Sequence, residues 1–367
     1  MPLFFSMSLA GSIPLCIGLL VMILQKEQTN FYYVNSLFKL SVILYLLPLQ
    51  LIKNMIPVTH NLFTIDNNYP IFTLLVINSI LQNNNSDSNY TFYIVEDNLS
   101  SKNKTKMQEY VTQRNQNIEF INIDTKIIDD GNFFFGFSNR ITPIAMARIL
   151  LPKILPQNVH RVIYIDGDTL VLEDLKTLFE FDLKGKPFGM GVNITAYDEV
   201  SNFKINGNYY NSGVILMDLD KCRKDAVSDK LLNFVKEHKK LFLYSDDFQD
   251  AFRYPDQDLI NIVMDGNIEE IPRKWNNQHI YGTSIEDISC KGIAHYIGAE
   301  KPWSSLTIKN TQNKFIKEYY NYWNKSGLRR YKIYYGFLSL KSMYMDIFNY
   351  NAKPVLDNLM TIIKNKI

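Results

Sequence analysis

Short apolar runs alternate with longer stretches of helical period along the chain from residue 61 onward. "NLFTI" (61–65) has strand character and ends in Asp66-Asn67-Asn68-Tyr69. "PIFTLLVINSIL" (70–81) then repeats its apolar positions at helical spacing, with a proline in its first turn. The Asn/Ser-rich "QNNNSDSN" predicts a loop, and "TFYIV" (91–95) a second strand. Ser100 or Ser101 is placed to cap a polar helix running to about Arg114, and "IEFINI" (118–123) predicts a third strand. "TPIAMARILLPKIL" (142–155) predicts a helix ahead of the strand "RVIYI" (161–165). Such β-α-β spacing implies a parallel sheet with helices on both faces, where ligands sit beyond the carboxyl ends of strands. Asp66 and the pair Asp166/Asp168 both fall at such ends. Beyond residue 186 the pattern gives "PFGMGV" and "YYNSGVILMDL" (209–219) as strands, with helices around 228–239 and 257–265.

The two ends of the chain read differently. Residues 1–24 contain no charged side chain; as a helix they would span about 36 Å at about 1.5 Å per residue, enough for a bilayer core. Without a basic n-region this segment predicts a retained anchor rather than a cleaved signal. A start codon set too early is the alternative, with the catalytic region opening near Met55. The apolar stretch 40–52, between Lys39 and Lys53, predicts an interfacial helix or a tilted second pass. Lys26, Lys39 and Lys53 follow the first segment, which places the next domain on the cytoplasmic face, with a luminal orientation as the alternative. Residues 311–367 hold ten Lys/Arg, three Asp/Glu and twelve Phe/Tyr/Trp, a net of 10 − 3 = +7. This basic aromatic tail predicts attachment to an anionic membrane surface, or else a plain helical extension packed on the domain. No RNA-binding motif accompanies it, so nucleic acid is not an expected partner. The organisation is therefore a membrane-associated segment (1–55), a catalytic domain (56–310) and a helical tail (311–367). An apolar fraction of 46% argues for a packed core between those ends. Cys16, Cys222 and Cys290 are too scattered for a disulfide framework or a cysteine zinc site.

Candidate chemistry starts with "IDGD". Two aspartates flanking Gly167 after an apolar strand project the same way if the backbone stays extended. Like charges that close are costly unless a cation neutralises them, and oxygen ligands suit a hard ion such as Mn²⁺ or Mg²⁺. Gly167 leaves room for a neighbour to approach. The same residues also satisfy the strand-DxDxT pattern of haloacid-dehalogenase-like phosphatases, in which Asp166 would be a nucleophile. That reading requires a later lysine and a second acidic pair after a strand; Asp246-Asp247 lies in "YSDDFQD", with no apolar strand predicted before it. Further on, "IAHYIGAEKPW" (293–303) offers His295 as an imidazole ligand, Gly298 for backbone contact and Lys301 as a point charge for phosphate.

With these motifs in order the chain resembles glycosyltransferase family 8, the group that includes glycogenin and bacterial lipopolysaccharide galactosyl- and glucosyltransferases. The resemblance spans about 57–305. It implies an α/β fold of GT-A type, with a Rossmann-like mixed central sheet and helices on both faces. By the same similarity, Asp66 in "FTIDNNY" contacts uracil or ribose, Asn68 lines the site and Tyr69 stacks on the base. Arg148 in "AMAR" contacts the donor sugar and diphosphate. Asp166 and Asp168 are metal ligands with His295 as the third, and Gly298 and Lys301 lie on the diphosphate. Asn211 and Ser212 in "YYNSGVILMDL" sit beside the donor sugar. In "YPDQDLIN", Asp256 binds sugar hydroxyls and Gln257 lies near the anomeric carbon. Thr64, Ile65 and Asn67 depart from the usual residues of the first motif.

The activity so implied is metal-dependent transfer of glucose or galactose from a UDP-sugar to a glycan or glycolipid, with retention and an α-linkage. A double displacement would need Gln257 or Asp256 as nucleophile. Front-face attack needs neither, and it is the expected route because an amide is a poor nucleophile.

Overall fold

The computed structural model describes residues 58–86, 88–123, 143–194, 199–200, 202–242, 252–280, 291–298, 301–303 and 314–328. The chain divides into two compact units, Met1–Pro57 and Val58–Ile367. Expectations for 1–55, for Asp246-Asp247 and for 329–367 lie outside the described residues. Among those residues, no helix is long and apolar enough to cross a membrane.

Seven strands form the central sheet of the second unit. In chain order these are β1 (Val58–Ile65), β2 (Asn89–Glu96), β3 (Asn117–Asn122) and β4 (Arg161–Ile165). A short β5 (Thr169–Val171) leaves the sheet, followed by β6 (Phe188–Val192) and a small hairpin of β7 (Glu199–Val200) and β8 (Phe203–Lys204). The long β9 (Tyr210–Asp218), β10 (Ile268–Glu270), β11 (Asn277–Ile280) and β12 (Ile293–Ile297) complete the set. The sheet order is β10-β6-β9-β4-β1-β2-β3. β1 runs parallel to β2 and β4, whereas β9 is antiparallel to both β4 and β6, so the sheet is mixed rather than all parallel. The strand order reverses between β1 and β4, which makes their carboxyl ends the crevice where such sheets bind ligands.

Strand alternation sends successive residues to opposite faces, and each face has its own core. Ile163, Ile165, Val214 and Leu216 face one side; Val162, Tyr164, Ile215 and Met217 face the other. The first side is covered by α1 (Pro70–Gln82) and α2 (Ser101–Thr112), the second by α3 (Val227–Glu237) and α4 (Pro255–Val263). α2 is capped by Ser100, whose side chain accepts from the Asn103 N–H. The last described helix, α5 (Lys314–Lys325), belongs to the first core: Tyr319 and Trp323 are each 1% exposed. The Tyr110 hydroxyl donates to Ser326 O at 2.7 Å, joining α2 to the end of that segment. Tyr319 and Trp323, near the start of the basic tail, are therefore packed core.

Two local expectations change. The predicted helix 142–155 is three short pieces, Pro143–Met146, a 3₁₀ turn at Ala147–Leu150, and Leu151–Ile154. Pro152 has no N–H to return to the Arg148 carbonyl, so a continuous α-helix fails there. Asp166 to Asp168 do not continue the extended strand. The chain turns at Gly167, and the Thr169 hydroxyl closes the turn by donating to Asp166 O at 2.9 Å.

Candidate active site

The turn after β4 and the strand β12 are joined by a second sheet of order β11-β12-β5. β5 pairs antiparallel with β12 in a register that sets His295 opposite Thr169, and the Tyr296 N–H donates to Asp168 O at 2.9 Å. This pairing carries an imidazole from late in the chain to the two aspartates. His295 Nε2 lies 3.3 Å from Asp168 Oδ1 and 3.9 Å from Asp166 Oδ2. One ligand atom from each of the three residues fits within a mutual distance of 4.8 Å. Asp168 Oδ1 is buried with no hydrogen-bond partner. Two carboxylates and one imidazole with an unanswered buried oxygen form a donor set that suits Mn²⁺ or Mg²⁺.

Lys301 reaches the same point, its Nζ 2.5 Å from Asp168 Oδ2 and 2.8 Å from Tyr296 O. Burial works to raise the Asp168 carboxyl, but Lys301 and His295 outweigh it and hold Asp168 well below the usual range. Asp166 shifts upward, driven by burial and by the charge of Asp168 against the pull of Arg148. Tyr164 donates to Asp166 Oδ1 at 2.5 Å, and its oxygen lies 3.1 Å from the Thr64 hydroxyl. Thr64, where the first motif departs from the family pattern, thus supports the hydrogen-bond partner of Asp166.

Arg148 is aimed inward by the 3₁₀ turn and is 5% exposed. Its guanidinium donates to Ala145 O, Ser212 O, the Ser212 hydroxyl and Asp166 Oδ1, and pairs with Asp256 Oδ2 at 3.2 Å. Arg148 is thereby a strut joining Asp166 to Asp256, with most of its donors taken by protein. The Ser212 hydroxyl donates to Asp256 Oδ2 at 2.8 Å. Gln257 stands next to Asp256 in the first turn of α4. Its Oε1 accepts from Asn211 Nδ2 at 3.0 Å and from the Ser212 N–H at 3.1 Å, and its Nε2 donates to the Tyr209 hydroxyl at 3.0 Å.

At the end of β1, Asp66 accepts from the Asn68 N–H and Asn68 Nδ2, a preset turn. Asn67 faces away and ties the loop before α2 by hydrogen bonds with Asn98 O, the Ser100 N–H and Asn103. The Tyr69 ring lies over Gly167, where an added Cβ would sit 3.0 Å from Tyr69 Cδ1. Gly167 therefore makes room for Tyr69 itself. Tyr69 also meets the rings of Phe72 and Trp303 edge-on. Gly298 has a φ of +88°, a backbone setting that favours glycine. Asn276 is a site residue that sequence reasoning did not find: its Oδ1 lies 2.9 Å from His295 Nδ1. It sits in a 3₁₀ turn, Arg273–Asn276, with no periodic signal to mark it.

Comparison with known proteins accords with this geometry. The chain is 26% identical over 291 residues to general stress protein A of Bacillus subtilis, covering 74% of this chain and 96% of the relative. It is 26% identical over 263 residues to a lipopolysaccharide 1,2-glucosyltransferase of Escherichia coli, covering 65% and 71% respectively. The solved galactosyltransferase LgtC, in complex with donor and acceptor sugar analogues, superimposes with a TM-score of 0.57 at 19% identity. That likeness covers 73% of this chain and all of LgtC and shows a GT-A fold. The phosphatase alternative finds no support among these relatives. Residues 60–307 match the description of glycosyl transferase family 8, and the chain belongs to that family.

Proposed function

We propose that this glycosyltransferase moves a hexose, glucose or galactose, from a UDP-sugar to a hydroxyl of a glycan or glycolipid, with retention and an α-linkage. The observation that carries the reading is the convergence of Asp166, Asp168, His295 and Lys301 at the strand-order reversal. Asp166, Asp168 and His295 would hold a divalent ion, which supplies Lewis-acid stabilisation of the leaving diphosphate. Lys301 sets an ammonium beside the same oxygens, where it answers developing phosphate charge. Asp256 keeps a carboxylate, braced by Arg148 and Ser212, for a sugar hydroxyl. Gln257 is held by Asn211, Ser212 and Tyr209, and an amide oxygen already accepting two hydrogen bonds is a weak nucleophile. This favours front-face attack. The acceptor oxygen bonds to the anomeric carbon, the bond to the β-phosphate oxygen breaks, and the hydroxyl proton passes to that leaving oxygen. The name of the E. coli relative and the sugar analogues bound to LgtC support the sugar donor and glycan acceptor.

The test is a panel of UDP-sugars incubated with Mn²⁺ and no acceptor. Slow release of UDP from UDP-glucose or UDP-galactose is expected, reduced at least about 100-fold in Asp168→Ala. Undiminished UDP release by that variant, or release of inorganic phosphate alone, would overturn the assignment. We further propose that the uncharged N-terminus and basic tail hold the enzyme on the cytoplasmic face of an anionic membrane, from residue pattern alone.

A further inference from the structure

We propose that Asn276 is a positioning residue that locks His295 in the Nδ1–H tautomer, leaving the Nε2 lone pair turned toward Asp166 and Asp168. Several groups around Asn276 have a fixed role as donor. A backbone N–H can only donate, so the Gly213 N–H at 3.0 Å fixes Asn211 Oδ1 as an acceptor. The Ser212 N–H fixes Gln257 Oε1 in the same way. Asn211 must then present its amino group to Gln257, as it does at 3.0 Å. Asn276 must present its own amino group to Asn211 Oδ1, at 2.9 Å. Only the Asn276 carbonyl oxygen is left to face His295 Nδ1, so that nitrogen carries the proton. At the far end Gln257 Nε2 donates to Tyr209, and Tyr209 donates to Asp258, whose other oxygen accepts the Tyr254 N–H. Every donor along the chain therefore points from His295 toward the Asp258 carboxylate.

Two glycines make the arrangement possible. A Cβ at Gly213 would lie 2.1 Å from His295 Cε1, and one at Gly191 would lie 2.8 Å from Asn276 Cβ. The imidazole and the amide rest on places these strands leave empty. The consequence for metal binding rests on the function proposed above; tautomer control does not.

The full chain, labelled with ¹⁵N at its five histidines, tests this in metal-free alkaline buffer. Long-range ¹H–¹⁵N spectra of the wild type should show His295, identified by its loss in His295→Gln, with a pyrrole-type Nδ1 and a pyridine-type Nε2. Asn276→Ala should give mixed tautomers and weaken Mn²⁺ binding about 10- to 100-fold. A wild type with the proton on Nε2 would overturn the proposal with no variant needed. An Asn276→Ala protein with wild-type tautomer and Mn²⁺ affinity would do the same. The expected tautomer in a wild type that binds no Mn²⁺ would support tautomer control and sink the metal reading instead.

Discussion

Asp258 shows how much a single buried carboxyl weighs on this site. It is 2% exposed, and burial pushes it up to about 6, although Tyr209 and the Tyr254 N–H donate to it. In the unfolded chain it titrates near the ordinary 3.8. Between those values the folded protein binds more protons than the unfolded one, so its stability falls as pH rises. Over that window the loss is about 3 kcal/mol, at about 1.4 kcal/mol per pH unit. Asp258→Asn removes the slope. In urea unfolding, the stability of the variant relative to wild type should climb from pH 4 to about pH 6.5 and then level off. A flat difference would contradict the burial argument. Burial also holds His279 down to about 4, which gives the opposite slope; it is common to both proteins and cancels in the comparison.

Among the elements, the pairing of β5 with β12 matters most to the site, since it sets His295 beside the turn that carries the aspartates. The strand β9 accommodates the result through Gly213: the three nearest atoms to an added Cβ all belong to the His295 ring. Gly213→Ala should therefore leave the fold intact and displace the imidazole. Metal-dependent UDP release should drop about 100-fold, the scale expected for misplacing a catalytic group by about 1 Å. Undiminished release by this variant would show that the ring has freedom the packing denies. Six of the seven strands of the central sheet were legible in the residue pattern, β10 being the exception. β1, β2, β4 and β9 are long enough for their apolar runs to register, and α1 has a proline start. The three residues of β5 carry no period, so nothing local shows that they pair with β12 more than a hundred positions later. The glycines at 191 and 213 read as strand residues until the partners above them are known.

For the whole molecule, the two-faced core explains why the candidate site residues stand out as short motifs in chain order while their support does not. Asp66 and the pair Asp166/Asp168 lie just past the carboxyl ends of β1 and β4, a position that β-α-β spacing predicts. The braces of the site residues, among them Thr64 against Tyr164 and Asn276 against His295, depend on contacts across the sheet that no short stretch encodes. The described part of the tail shows the same division: Tyr319 and Trp323 look like a membrane-facing aromatic pattern in sequence and are buried in the first core. The membrane attachment proposed above would then draw on residues 1–57 and 329–367. The full chain should sediment with vesicles containing anionic lipid and release from them as salt rises. Sedimentation equal with neutral vesicles at every salt concentration would contradict an electrostatic contribution from the tail.

Direct titration of Mn²⁺ into the full chain with UDP present, followed by electron paramagnetic resonance, bears most closely on the shared ion. One ion bound per chain is expected, with affinity lost in both His295→Ala and Asp168→Ala and raised by UDP. Binding that is unchanged in His295→Ala would mean that the imidazole lies beside the carboxylates without serving as a ligand.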